Sequence, residues 1–383
     1  VPFRRRIWIA AYALVVATFL AGVTRYYHSP FGFTAFIDFS AANHPYEIPA
    51  VQSAPHFDNP APSGYDGMYY AQLAVEPLLR DPAIDAGLDN PPYRARRILF
   101  SWTAYGLGLG RPAWILKAYA FQNVIAWLLF AWLLCRWMPP SNARAFVLWT
   151  GCLFSPGMIQ SVRYALPDGP SALLIACAVA AAERKRPIAI AAIVGLAGLG
   201  RETSLLAATM LGKFIRRNWR SWLLMAGCAI LCVLPLALWV DYLRSIYRSQ
   251  AFTNPGQVTT PLVGLIWKLK MIRADLAHAP LSFATMISFL AVIAFLAQGG
   301  WVIRELFRPG DRAAWVLIGA SYLVLGLLTH AVVWEGTPGA FTRVLLPLTI
   351  AANALLAARK RASWAMIVAT NLAAVPNVVL WVL

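Results

Sequence analysis

The chemically richest stretch of the chain is Gly64-Tyr65-Asp66-Gly67-Met68-Tyr69-Tyr70. A carboxylate stands between a tyrosine and a glycine, and glycine lets backbone or ligand approach closely. Read alone, Asp66 is either the N-cap of a following helix or a catalytic carboxylate, and the two roles are compatible. Downstream, Arg94, Arg96 and Arg97 crowd three guanidiniums into four residues. Guanidinium forks match phosphate oxygens, so one reading is an anionic ligand such as a phosphate. The other is contact with lipid headgroups or with the acids of the same segment. Charge also intrudes into apolar surroundings at Leu166-Pro167-Asp168-Gly169, at Gly200-Arg201-Glu202-Thr203-Ser204 and at Arg343. Glu335, beside Trp334, offers a further carboxylate at a helix end, with Trp334 read as an interfacial aromatic.

The elements that must position these groups follow from composition. Hydrophobic residues make up 60% of the 383 and charged residues only 13%, against about half and a quarter in soluble domains. The excess collects in apolar runs separated by Arg and Lys, the pattern of an all-α polytopic membrane protein. A soluble enzyme, a disordered chain and a disulfide scaffold are excluded. The net charge of +17 sits beside the ends of apolar runs, where the positive-inside rule expects it, so no nucleic-acid partner is expected.

A first span is expected over residues 7–27, after Arg4, Arg5 and Arg6, and a long loop of mixed polarity over 28–111. The remaining spans fill 112–383, with an outer amphipathic segment at 241–279, and the whole reads as one membrane domain, 1–383. Runs beginning near Pro112, Ala145, Gly169, Ile188, Thr203, Trp222, Leu281, Ala313, Gly339 and Trp364 bring the expected total to about eleven spans. With alternating sides, 18 of the 33 basic residues fall in the cytoplasmic connections, accompanied by only Glu183, Glu305 and Asp311. The N-terminus is thus expected in the cytoplasm and the first loop outside. Tyr65, Tyr69 and Tyr70 suit a helix at headgroup level. In 241–279, the stripe Leu262, Leu265, Ile266, Leu269, Ile272 and Leu276 reads as a surface helix, either covering a cavity or anchored on anionic lipid.

Helical rise converts sequence distance to depth. Asp168, Arg201 and Arg343 each lie about 22–24 Å from a cytoplasmic charge, and Glu202 sits beside Arg201. Ionised groups inside the bilayer cost about 2.5 kcal/mol or more each unless they face protein, water or one another. One outward-open polar cavity holding all four is the economical reading; snorkelling or mutually paired structural residues are the alternative. The five histidines show no HExxH or paired spacing, so no zinc site is expected, and no nucleotide-binding fingerprint occurs.

The layout resembles the GT-C glycosyltransferases. An N-in first helix is followed by a long outer loop bearing Tyr65-Asp66-Gly67, then by Pro92-Tyr93-Arg94 through Leu99, Leu166-Pro167-Asp168-Gly169 and Gly200-Arg201-Glu202-Thr203. The similarity runs closest to bacterial relatives of the polyprenyl- or dolichyl-phosphate-mannose-dependent mannosyltransferases. It implies an enzyme of the bacterial inner membrane working at the periplasmic face. A polyprenyl-phosphate-linked sugar would be the donor, and a hydroxyl of a glycan, lipid or protein the acceptor. Asp66 would be the general base of an inverting transfer. Arg201, Arg343, Arg94, Arg96 and Arg97 would hold the donor phosphate. Glu202, Asp168, Tyr65, Tyr69 and Glu335 would support them or bind sugar and acceptor. No cofactor is expected, with a divalent metal left open but not indicated, and membrane lipids are the remaining partners. A transporter or flippase of a lipid-linked sugar would use the same cations without a base.

Overall fold

The computed structural model describes residues 3–61, 64–247, 257–278, 282–310, 313–359 and 362–382. Asp311, Arg312, Lys360, Arg361 and Leu383, and residues 248–256 and 279 of the amphipathic segment, lie outside them. The fold is helical. Helix α1 (Phe3–Thr24) turns Ile7, Leu14 and Leu20 outward and buries Phe19, which stacks on Trp127 and Trp381. The loop after it carries α2 (Pro49–Gln52), α3 (Gly67–Val75), α4 (Ala83–Ala86), α5 (Pro91–Ala95) and α6 (Leu99–Leu107). A two-stranded parallel pair, β1 (Phe39–Ser40) with β2 (Asp58–Asn59), sets Phe39 opposite Asp58.

Then follow α7 (Pro112–Leu134), α8 (Ala143–Leu153), α9 (Pro156–Arg163), α10 (Asp168–Glu183) and α11 (Pro187–Gly200). A 3-10 helix spans Glu202–Phe214. Next come α12 (Trp219–Ile246), α13 (Val263–His278), α14 (Phe283–Leu306), α15 (Ala314–Leu328) and α16 (Ala331–Trp334). The chain closes with α17 (Phe341–Val344), α18 (Leu346–Ala357), α19 (Trp364–Asn371) and α20 (Ala374–Val382). Local chemistry sets many of the starts. Asn90, Asn142, Asn218, Ser282 and Ser363 cap helices with their side chains, satisfying an amide that the first turn leaves without a partner. Proline opens α5, α7, α9 and α11, where its missing N–H costs nothing.

Among the described residues, α1, α7, α12 and α14 are long and apolar enough to cross a bilayer. The pairs α8–α9 and α19–α20, bent by 45° and 58°, bring the number to six if each is one broken span. Each of the eleven apolar runs falls on a helix or helix pair, but several are short: α11, α15 and α18 have only 14, 15 and 12 residues. The 3-10 helix partly escapes this limit. A rise of ~2.0 Å per residue stretches its 13 residues to about 26 Å.

At α3 and α13 the structure adds which faces are buried, and at Trp334 it corrects the expectation. Helix α3 is enclosed by protein: every residue in it except Tyr69 is buried, because it packs against α6 and α7. In α13 the buried face is Gly264, Leu265, Lys268 and Ile272, while Ile266, Leu269 and Leu276 point outward. The inward turn of Lys268 is explained by its Nζ, which donates to Gly336 O at 2.7 Å. Trp334 is fully buried, stacks on Phe341 and donates to Thr329 Oγ1, so it anchors α16 and is no interfacial aromatic.

Candidate active site

Asp168, Arg201 and Arg343 stand at the same end of α10, α11 and α18, whose opposite ends carry Glu183, Arg186 and Arg359. At those opposite ends, Arg136 pairs with Glu183 and Arg359 with Glu305. Around the first set lies a cavity of about 360 Å³. Its polar wall holds Asp66, Asp168 and Glu202, five arginines (Arg94, Arg96, Arg97, Arg201, Arg343), and Tyr70, Tyr93 and Gln257.

Each group is delivered by an identifiable break in the backbone. Asp66 occupies the N-cap of α3 but makes no capping hydrogen bond. Its carboxylate accepts from Arg94 Nη2 at 2.9 Å and lies 3.7 Å from Arg343 Nη1. Gly67 lets this turn press against the chain behind it: a Cβ there would collide with Tyr164 O and stand 2.8 Å from Ile37 O. Gly67→Ala should therefore lower the stability of the purified protein by about 1–3 kcal/mol, read as a lower thermal midpoint, and tilt Asp66 away from Arg343. Gly157 in α9 plays the same part against Thr342 O, setting the α17 turn that carries Arg343. Arg201 is extended, ending α11, and this non-helical backbone at a polar cavity is what a membrane interior tolerates.

The cations fall into two groups. Arg94 is clamped by Asp89 (Nε–Oδ1 2.8 Å, Nη2–Oδ2 2.7 Å), donates to Asp66 and lies over the Tyr69 ring. Arg97 donates to Glu202, Tyr70 and Tyr93 from Nε, Nη1 and Nη2 at 3.0, 2.8 and 2.8 Å. These two hold the site's own groups, unlike the undifferentiated arginine cluster expected from sequence. Arg201 pairs with Asp168, and Arg343 stands 3.9 Å from the other Asp168 oxygen. Arg96 faces Glu202 Oε1 at 3.3 Å without a hydrogen bond. Arg343 Nε, Arg96 Nε, Asp168 Oδ2 and Glu202 Oε1 are all buried with no hydrogen-bond partner. Native proteins leave few such atoms unpaired, and those that remain call for an explanation.

Burial alone would push the Asp66 carboxyl up. The Arg94 and Arg343 guanidiniums more than reverse this and hold it below the ordinary aspartate value, so it is ionised at neutral pH.

Of the other expected residues, Tyr65 stacks on Tyr164 and lies beneath the Arg343 guanidinium. Tyr69 meets Arg94 from outside the cavity wall. Glu335 is exposed and does not line the cavity, because Gly336 and Gly339, both at positive φ, turn the chain away after α16. Sequence reasoning quoted Tyr93 within a motif without giving it a role and overlooked Gln257, to which it is joined by a 2.8 Å hydrogen bond; it took Tyr70 for a surface aromatic. The four-residue spacing of Tyr93 and Arg97 was the available signal for the first.

Neither a curated protein nor a solved structure matches the chain. The model of glycosyltransferase family 87 matches residues 99–330. That stretch includes Asp168, Arg201, Glu202 and Gln257, while Asp66, Arg94, Arg96, Arg97 and Arg343 flank it on either side. With well over half of its length matched and its apolar helices of membrane-crossing length, the chain belongs to glycosyltransferase family 87 and is a membrane glycosyltransferase.

Proposed function

We propose that this enzyme moves a sugar, a hexose such as mannose, from a polyprenyl-phosphate carrier to an acceptor hydroxyl, at the periplasmic face of a bacterial inner membrane. The chain would be one membrane domain with a cytoplasmic N-terminus. The short helices and the 3-10 helix would complete about eleven passages. The observation that carries the reading is the charge and satisfaction of the cavity wall. Five guanidiniums meet three carboxylates there, and Arg96 and Arg343 keep N–H groups without partners. The excess is two positive charges, or one when Asp89 behind Arg94 is included. A lipid-phosphate sugar is a phosphodiester with a single negative charge. Val258, Leu325, Val332, Val333 and Val344 form an apolar side of the same cavity, and Val258 and Val332 are exposed. That side suits the first isoprene units of a carrier.

In this reading the acceptor hydroxyl attacks the anomeric carbon opposite the phosphate. Asp66 takes its proton as the new C–O bond forms. The old C–O bond breaks with inversion, and polyprenyl phosphate leaves with one more negative charge. Arg343, Arg201 and Arg96 stabilise that charge from fixed positions. Arg94, held by Asp89, positions Asp66. Glu202 and Asp168 orient the arginines or accept from sugar hydroxyls.

The test is transfer of labelled sugar from synthetic polyprenyl-phosphate hexoses by the purified protein in detergent, over a panel of acceptors. Label that moves across liposome membranes without changing carrier would instead indicate a flippase. A second measurement probes Asp66. Because cations hold its pKa down, the acid limb of kcat/KM in the wild type should lie below the ordinary aspartate range, leaving a flat profile across neutral pH. In Arg94→Gln the opposing burial is no longer cancelled, so the limb should move to higher pH. A limb that stays in place removes Asp66 from the role of base.

A further inference from the structure

Away from the cavity, the first loop gathers Glu47, His56 and Asp58. One ligand atom from each lies within 4.8 Å of the others. We propose that these three residues bind a divalent first-row transition ion, with zinc as the reference case, and that the ion braces the loop behind Asp66.

The geometry is not that of a hydrogen-bonded cluster. His56 Nε2 stands 3.6 Å from Glu47 Oε2 and 3.2 Å from Asp58 Oδ1. Yet Nε2 and both Glu47 oxygens are buried with no hydrogen-bond partner. Glu47 and His56 are only 5% and 7% exposed, so water does not readily supply what is missing. Burying a carboxylate with neither oxygen bonded is costly. Around a four-coordinate zinc ion with bonds of about 2.0–2.2 Å, neighbouring ligand atoms sit about 3.4 Å apart. The two observed separations bracket that spacing.

The histidine is already prepared. Its Nδ1 lies 2.8 Å from Ala54 O, which keeps the proton on Nδ1 and leaves the Nε2 lone pair facing the carboxylates. A hydrogen bond from the second ring nitrogen to a carbonyl is the usual support of a metal-bound imidazole. The Phe39 ring packs against the imidazole, 4.6 Å between centroids, and fixes its plane. One nitrogen and two carboxylates suit zinc or manganese better than the all-oxygen shells of calcium or magnesium. Two negative charges balance a divalent ion.

Connections to the site run both ways from the triad. Asp58 opens β2 opposite Phe39, and the preceding residue, Asp38, accepts from Tyr65 N at 3.2 Å. Ile48, next to Glu47, donates its N–H to Gln72 Oε1 of α3 at 2.9 Å. An ion clamping positions 47, 56 and 58 therefore ties down both approaches to Asp66. The inference stands apart from the transfer chemistry proposed above, and its readouts do not depend on sugar transfer.

The full chain, purified in detergent without chelator, should carry about one equivalent of transition metal by elemental analysis. EDTA should lower its thermal midpoint by about 5 °C or more, and added Zn²⁺ or Mn²⁺ should restore it. His56→Ala should abolish both the bound metal and the shift. If that variant does not accumulate, Asp58→Asn, at the exposed edge of the triad, should weaken zinc binding by about tenfold or more. Wild-type protein with less than about a tenth of an equivalent and no response to EDTA or Zn²⁺ overturns the proposal. Zinc binding by Asp58→Asn equal to that of the wild type overturns it as well.

Discussion

Asp66→Asn should lower the rate of sugar transfer by about 10²–10⁴-fold, the usual contribution of a positioned proton acceptor. The asparagine oxygen can still accept from Arg94 Nη2, which now reaches Asp66 Oδ1 at 2.9 Å, so the turn of α3 should persist. Loss of the carboxylate charge beside Arg94 and Arg343 leaves the cavity more positive. Binding of an anionic donor should hold or tighten, so kcat falls while KM for the carrier does not rise. Single-turnover kinetics with labelled donor, alongside a separate binding measurement, divides the two effects. A variant that retains more than about a tenth of wild-type turnover would exclude Asp66 as the base.

Arg343→Gln is expected to have the next largest effect, about 10²–10³ in kcat, the scale seen when one fixed donor to a developing oxyanion is removed. Its Nη1 lies between Asp66 and Asp168, and its Nε has no protein partner. That pattern fits a group whose remaining N–H awaits a ligand. Arg343→Lys should recover only part of the loss, since an ammonium cannot present two N–H groups in a plane. Arg136→Gln, which removes an exposed pair with Glu183 at the other end of the helices, is the control and should change transfer by less than about twofold. Equal losses in Arg343→Gln and Arg136→Gln would mean that general instability, not lost phosphate contacts, explains the effect.

The convergence of Asp168, Arg201, Glu202 and Arg343 was legible because a bilayer penalises isolated charge. Four ionisable residues at one depth had to find one another, and counting helical rise located them. Asp66 stood out through its flanking glycine, whose lack of a side chain proves necessary against Tyr164 and Ile37. The division of labour among the arginines was not legible. Nothing in Arg94-Ala95-Arg96-Arg97 says that Arg94 turns to Asp89 and Asp66 while Arg97 turns to Glu202, Tyr70 and Tyr93. These partners come from other elements, and one turn of helix can aim adjacent side chains in different directions. The Glu47–His56–Asp58 grouping was hidden for a related reason. It is assembled by a parallel strand pair only two residues long, and no periodic spacing encodes that. In helix α13 the sequence stripe alone did not say which of its residues turn inward; Leu265 and Ile272 do, beside Lys268, whose Nζ bonds to Gly336 O.

Asp66 and Arg343 approach to 3.7 Å although most of the chain separates them. During synthesis the first loop is complete, with its carboxylate and three of its guanidiniums, long before α17 leaves the ribosome. Until then the cleft lacks the cation that α17 carries. A nascent chain halted before that turn is thus a half-walled groove whose Asp66 still lacks its Arg343 neighbour. The site is complete only once α17 has been made, so a chain truncated before that turn is expected to be inactive.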